Sequence, residues 1–208
     1  MSWAEVQTIN NNFKKPINEQ IRELAYNPSY LFTTSTSFVP EKNGWYKVIV
    51  VGSGGASWEY SNTGNCYYQI GASGGVAVST RKLLKSSSYS ISIYTENYTK
   101  SASFAGNIIA HSANNTVAGT AEGGDFNFSG LSGRSGNLGS FVFADGVDVG
   151  VFIPALYKSF ENQYGTSGQG ILGYGASGGI GQTVPSSIYA GHPDKQACVL
   201  IIPLEFEE

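Results

Sequence analysis

Trp45-Tyr-Lys-Val-Ile-Val-Val51, followed at once by Gly52-Ser-Gly-Gly-Ala-Ser57, decides how the chain is read. The first stretch has the β-branched and aromatic composition of a strand, and from Val48 to Val51 it is apolar at every position. A strand apolar on both faces belongs in the middle of a fold. Val199 to Ile202 has the same character, so the two are expected to be central strands. The glycines after Val51 could begin a nucleotide-binding loop or the loops of a β-rich domain. A dinucleotide fingerprint needs a helix N-terminus behind its glycines, so that free N–H groups meet the pyrophosphate. Here Trp58-Glu-Tyr-Ser-Asn-Thr-Gly64 follows, which is turn-like, and Gly168-Gln-Gly-Ile-Leu-Gly173 has the glycine spacing without a strand or helix around it.

On either side of this stretch the period is two. Leu31 to Phe38, Gly75 to Thr80, Ser88 to Thr95, Asn107 to His111, Asp125 to Ser129, Val149 to Ile153 and Ala197 to Leu204 read as strands bounded by Gly, Pro, Ser or Asn. No helical crossover separates them. The expected fold is all-β, a β-sandwich or jelly-roll-like domain with glycine-rich loops spanning residues 31 to 208. Residues 1 to 28 differ: Trp3, Val6, Ile9, Phe13, Ile17, Ile21 and Leu24 recur at steps of three and four, one face of a helix. Ser2 with Glu5 is a capping box, and Pro16 opens a second helical stretch that ends before Asn27-Pro28. This short helical segment reads as an attachment or oligomerisation element whose apolar face meets either the β domain or copies of itself.

Gly is 27 of 208 residues, and charged residues are 13%, about half the usual share. Serine, threonine, asparagine and tyrosine make the surface polar, which suits carbohydrate or protein contact. With a net charge of −3 there is no basic footprint, and nucleic acid is not an expected partner. No apolar run approaches membrane-spanning length, and the first residues carry Glu5 rather than the apolar core of a secretory signal. Synthesis in the cytosol without membrane insertion is the expectation. Cys66 and Cys198 fit no zinc signature and read as two free thiols or one long-range bridge.

Gly71-Ala-Ser-Gly-Gly75 and Gly175-Ala-Ser-Gly-Gly179 both spell the G-x-S-x-G of a hydrolase elbow, but neither sits between a strand and a helix, so both read as tight turns. His111 and His192 lie in no ligand-spaced cluster. The carboxylates Glu59, Glu96, Glu122, Asp125, Asp145, Asp148, Glu161 and Asp194 are scattered, and a hydrolytic pair among them would need the fold to bring two together. Asp125, after Gly123-Gly124, reads as a turn cap. No catalytic residue, metal or cofactor is expected. Two segments are too long for simple connections, Gly52 to Gly74 and Leu156 to Ile188, and both are rich in aromatics. Trp58, Tyr60, Tyr67, Tyr68, Tyr164 and Tyr174 are the candidate contact residues, since a ring covers the apolar face of a sugar while neighbouring Asn, Ser and Gln satisfy its hydroxyls.

A resemblance rests on a series of motifs: Val-Ile-Val-Val-Gly-Ser-Gly-Gly (48 to 55), Gly-Gly-Val-Ala-Val-Ser-Thr (74 to 80), Tyr-Ser-Ile-Ser-Ile (89 to 93), Ala-Ser-Phe-Ala-Gly-Asn-Ile-Ile-Ala (102 to 110), Gly-Thr-Ala-Glu-Gly-Gly-Asp-Phe-Asn-Phe-Ser-Gly (119 to 130) and Ala-Cys-Val-Leu-Ile-Ile-Pro-Leu (197 to 204). The series is similar to the glycine-rich receptor-binding domains at the tips of bacteriophage tail fibres. Met-Ser-Trp-Ala-Glu-Val-Gln-Thr-Ile-Asn (1 to 10) with Lys-Lys-Pro-Ile-Asn-Glu (14 to 19) resembles the N-termini of tail proteins in phages and prophages of Gram-positive bacteria. The resemblance implies a non-enzymatic adhesin on the virion tail, usually trimeric, joined to other tail proteins and displaying loops to a host-surface glycan or protein. A polysaccharide-degrading tail enzyme and a structural tail component without a receptor site are the alternatives. Some relatives carry long polyglycine runs packed as a lattice of extended helices; the runs here stop at two, so an ordinary β-sandwich with glycine-rich loops is expected instead of a glycine-helix sandwich.

Overall fold

The computed structural model describes residues 31–62, 65–96, 99–138, 143–144, 147, 157–159, 171–177, 180–181, 188–190 and 197–207. The expected helical segment 1 to 28 and the expected strand Val149 to Ile153 lie outside the described residues. The chain runs through β1 (Leu31–Phe32), β2 (Thr36–Phe38), β3 (Gly44–Val51), β4 (Ser57–Asn62), β5 (Asn65–Ile70) and β6 (Val76–Leu83). It continues through β7 (Tyr89–Glu96), β8 (Thr99–Phe104), β9 (Ile108–Ala110), β10 (Ala121–Glu122), β11 (Phe126–Phe128) and β12 (Arg134–Leu138). The last six are β13 (Phe143–Ala144), β14 (Tyr157–Ser159), β15 (Ile171–Gly173), β16 (Ile180–Gly181), β17 (Ile188–Ala190) and β18 (Cys198–Phe206). No helix occurs among the described residues. The protein is all-β with antiparallel sheets, as its period-two patterning implies.

One five-stranded sheet has the order β1-β18-β3-β6-β11 and a second the order β10-β9-β8-β7-β2; a four-stranded sheet has the order β12-β5-β4-β17. β3 and β18 run side by side with Val51 opposite Cys198 and Val48 opposite Ile201, and β6 lies on the other flank of β3. Tyr46, Val48, Val50, Val199 and Ile201 reach into the larger core, where Ile91, Phe104 and Ile108 of the second sheet meet them. The alternate residues Ile49, Val51, Val76, Cys198 and Leu200 form another apolar cluster with Tyr174 on the opposite side. The central sheet is thus buried on both faces, which is why β3 and β18 are apolar without alternation. Each fully buried aliphatic side chain contributes about 1.5–3 kcal/mol.

Cys198 is a free, fully buried thiol, and burial pushes its pKa far up, so it packs rather than bridges. Asp125 caps across strands instead of within its own turn: its Oδ2 accepts the Thr80 N–H at 2.7 Å. The turn itself is closed by Asn127, which accepts from the Gly124 N–H and donates to the Gly124 carbonyl, both at 3.1 Å.

The glycine-rich segments are bonded to one another. Residues 52–56, 71–75, 111–120, 130–133 and 174–177 lie almost wholly outside strands yet bond to one another through their backbones. In 71–75 the N–H groups of Ala72 and Gly75, three residues apart, donate to Asn115 and His111 carbonyls, that of Ser73 to Leu131 and that of Gly74 to Gly175. A strand offers bonding groups in two directions, whereas an extended helix of three residues per turn offers them in three. Bonds from Gly52 to Gly75 and from Gly55 to Ala72 repeat the same step of three. Buried Ala and Ser flank the glycines in these segments. The serines also serve the backbone: Ser53 Oγ accepts from Lys100 N–H at 2.8 Å and Ser73 Oγ from Leu131 N–H at 2.7 Å. Close approach is the reason for glycine here, since a Cβ at Gly74 would lie 1.9 Å from the Gly52 carbonyl oxygen.

This contact distinguishes two kinds of glycine. Gly74→Ala, forced against backbone, is expected to cost about 3 kcal/mol or more, comparable with the cavity left by Ile201→Ala. Gly106→Ala, at a φ of 72° with open space around it, is expected to cost only about 1–2 kcal/mol of backbone strain. Urea unfolding of the three variants checks the ranking; equal losses at Gly74 and Gly106 would refute the close-packing account.

Candidate binding face

β4 and β5, the two strands of a hairpin within the aromatic segment Gly52 to Gly74, form the middle of the four-stranded sheet. Three of that sheet's strands grow directly out of the glycine-rich bundle: 52–56 leads into β4, β5 leads into 71–75, and 130–133 leads into β12. The bundle's backbone bonds thereby fix where the sheet stands.

The register sorts the aromatics by face. Trp58 is opposite Gln69 and Tyr60 opposite Tyr67 across the hairpin, with Asn62 opposite Asn65 beyond them. On the flanking strands Tyr189 is opposite Trp58, Ser135 opposite Gln69 and Asn137 opposite Tyr67. Facing residues share a side of a sheet, and along a strand every second residue returns to it. One face therefore carries a row Tyr189, Trp58, Gln69, Ser135 and a parallel row Tyr60, Tyr67, Asn137, about 7 Å apart along the strands with neighbouring strands about 5 Å apart. Tyr67 is 43% exposed, so the face is open to solvent there.

The other candidate residues separate from this set. Tyr68 belongs to the reverse face, directly opposite Gly136, and its ring lies over that glycine: a Cβ there would be 2.9 Å from the ring. Tyr174 is 8% exposed and packs in the apolar cluster behind the central sheet, so its ring belongs to the core and not to a contact surface. Tyr164 lies outside the described residues. Sequence reasoning passed over Tyr189, because the three-residue β17 is too short to show a period. It also read the hairpin as a loop, although Asn62-Thr-Gly-Asn65 is a turn signal, because adjacent Tyr67 and Tyr68 break the alternation.

A polar network stands at the end of the second sheet. His111 Nδ1 is 3.1 Å from Glu96 Oε2, and His111 Nε2 is 3.6 Å from Glu122 Oε1. Ser101, fully buried, donates to Glu96 and not to the imidazole, while its Oγ accepts the Ser112 N–H at 2.8 Å. A serine activated by histidine is not assembled here. The serines of both G-x-S-x-G segments are buried as well, and Ser177 Oγ, like Ser73 Oγ, accepts a backbone N–H, that of Val147 at 2.7 Å. The backbone of His111 sits in the bundle, accepting from Gly75 and donating to Thr120. Its side chain, held between two carboxylates, ties the bundle to the second sheet.

No protein-family model, curated protein or solved structure matches the chain.

For Glu96, burial raises the carboxyl pKa, but hydrogen bonds from Ser101 and His111 and the imidazolium charge outweigh it, and the net shift is downward. A carboxyl depressed on folding contributes stability above its ordinary pKa, and that contribution is lost as the pH falls through the folded value. Thermal melts at about pH 7 and about pH 3 are expected to differ more for the native protein than for Glu96→Gln, whose melting point at neutral pH is already lower. An unchanged pH dependence in the variant would show that Glu96 carries no such coupling.

Proposed function

We propose that this protein is a receptor-binding adhesin of a phage or prophage tail and that its receptor site is the Trp58–Tyr60–Tyr67–Tyr189 face. The observation that carries the reading is the strand register, which gathers aromatic positions dispersed over 58 to 189 into two adjoining rows beside Gln69, Ser135 and Asn137. Flat rings interleaved with uncharged hydrogen-bonding groups suit the alternating apolar faces and hydroxyls of a host-surface glycan, and also suit a protein loop. The sparse charge of the chain agrees, because such recognition requires no long-range field. The resemblance to tail-fibre tips supports the same role, with the sheet displayed outward, residues 1 to 28 serving attachment to other tail proteins or assembly of three copies, and the virion tail as the place of action.

The full chain is to be titrated against intact bacteria and their purified wall glycans. Trp58→Ala with Tyr67→Ala is expected to cost about 2 kcal/mol of binding or more, roughly thirtyfold in affinity, with the melting temperature nearly unchanged. Tyr68→Ala is expected to do the reverse, lowering stability through loss of the ring over Gly136. If Trp58 and Tyr67 variants unfold or bind normally, the face is not the receptor site. Reducing-sugar release from the same glycans would favour the polysaccharide-degrading alternative.

A further inference from the structure

The side of the four-stranded sheet that carries the two aromatic rows is uncharged at every position the register assigns to it. Beyond the row Tyr60, Tyr67, Asn137 the hairpin adds Asn62 opposite Asn65, and with them each residue on that side of β4, β5, β12 and β17 is aromatic, an amide or a hydroxyl. The charged residues of these four strands are Glu59 and Arg134. Glu59 is opposite Tyr68, and Arg134 is opposite the fully buried Ile70, so both belong to the reverse side.

This segregation decides between ligands that the aromatic rows alone leave open. Host surfaces offer neutral sugar chains, polyanions with phosphate or carboxylate on their sugars, and proteins. A polyanion on this face would lose water and meet no cation, and desolvating a charge without a partner is costly. Protein surfaces bring charges of both signs to a contact and gain specificity by matching them, and this side of the sheet has none to match. A neutral sugar needs rings for its apolar faces and amides or hydroxyls for its own hydroxyls. Gln69 is held in place for that role, since its Nε2 donates to the Ala56 carbonyl at 3.3 Å, and the exposed Ser135 stands opposite it. Tyr189 with Trp58 and Tyr60 with Tyr67 are cross-strand pairs about 5 Å apart within a pair, and Trp58 and Tyr60 are about 7 Å apart along β4. A pyranose is about as wide as one aromatic ring, so engaging both pairs takes linked sugars and not a single one.

We infer that the ligand of this face is an uncharged glycan chain, engaged through consecutive linked sugars that carry neither phosphate nor carboxylate. The inference rests on the adhesin reading and narrows its receptor from a host-surface glycan or protein to a neutral glycan.

The test uses the full chain and the wall glycans of a panel of bacteria, released and separated by anion exchange into a neutral and an acidic fraction. The neutral fraction is expected to bind, and Trp58→Ala with Tyr67→Ala to weaken that binding about thirtyfold. Raising NaCl from about 50 mM to about 500 mM is expected to change the affinity of the native protein by less than about twofold, as for any uncharged ligand. Ser135→Lys and Ser135→Asp, at an exposed position of an edge strand, are both expected to weaken binding by similar factors of about three to ten, since either charge is desolvated without a partner. Monosaccharides from hydrolysis of the neutral fraction are expected to compete at least about tenfold less well than the intact fraction, and equal competition overturns the inference. Binding to the acidic fraction that falls steeply with salt, strengthened by Ser135→Lys and weakened by Ser135→Asp, overturns it too, as does binding to cells that protease treatment removes. The adhesin reading survives both of those outcomes. A chain that binds no cell and neither fraction overturns that reading and the inference with it.

Discussion

The antiparallel contact between β3 and β18 is the constraint on which the other parts depend. Val48 to Val51 against Cys198 to Ile201 is a ladder apolar on both sides, and burying both sides requires a layer on each. One layer is the second five-stranded sheet, which meets it through Phe104, Ile108 and Ile91. Tyr174 contributes to the cover on the other side. Removing a methylene here costs cavity energy in a region where nothing nearby is loose enough to fill it, because the neighbours are themselves strand residues fixed by pairing.

Immediately beyond this ladder the chain changes its way of satisfying the backbone. Val51 ends a strand and Gly52 begins an extended segment whose N–H and C=O groups find partners in other glycine-rich segments and not in one sheet neighbour. Buried backbone polar groups must be paired wherever they are, and a core built of side chains cannot pair them. The bundle solves this by bringing main chain directly against main chain, which demands residues with little or no side chain. Ala72, Ala176, Ser53, Ser73 and Ser177 are all fully buried in it, and the serine hydroxyls accept N–H groups that the geometry leaves over. The result is a rigid polar-backbone core joined to an apolar side-chain core, with His111 belonging to the bundle through its main chain and to the Glu96–Glu122 network through its ring.

What could be read in the sequence follows from this division. β3 and β18 were legible because apolarity at every position has one common meaning, and β7 was legible because Tyr89, Ile91 and Ile93 alternate with polar neighbours. The bundle was not legible: glycine identity shows where a Cβ is absent, but which distant segments meet there, such as Ser73 with Leu131 or Gly74 with Gly175, is a three-dimensional fact with no periodic signature. The candidate site was half legible for the same reason. Trp58, Tyr60 and Tyr67 stood out as aromatics in a glycine-rich stretch, whereas their separation from Tyr68 and Tyr174, and the arrival of Tyr189 beside Trp58, depend on register.

The two cores also give the molecule a polarity. Strands β4, β5 and β12 lead into or out of the bundle, so the surface proposed for the receptor adjoins it. The opposite end holds the start of β3, the end of β18 and the entry to β1, with Trp45, Leu204 and Phe206 among its exposed residues. The change in backbone pairing falls where Val51 gives way to Gly52, the end of the β3–β18 ladder on one side and the first residue of the bundle on the other.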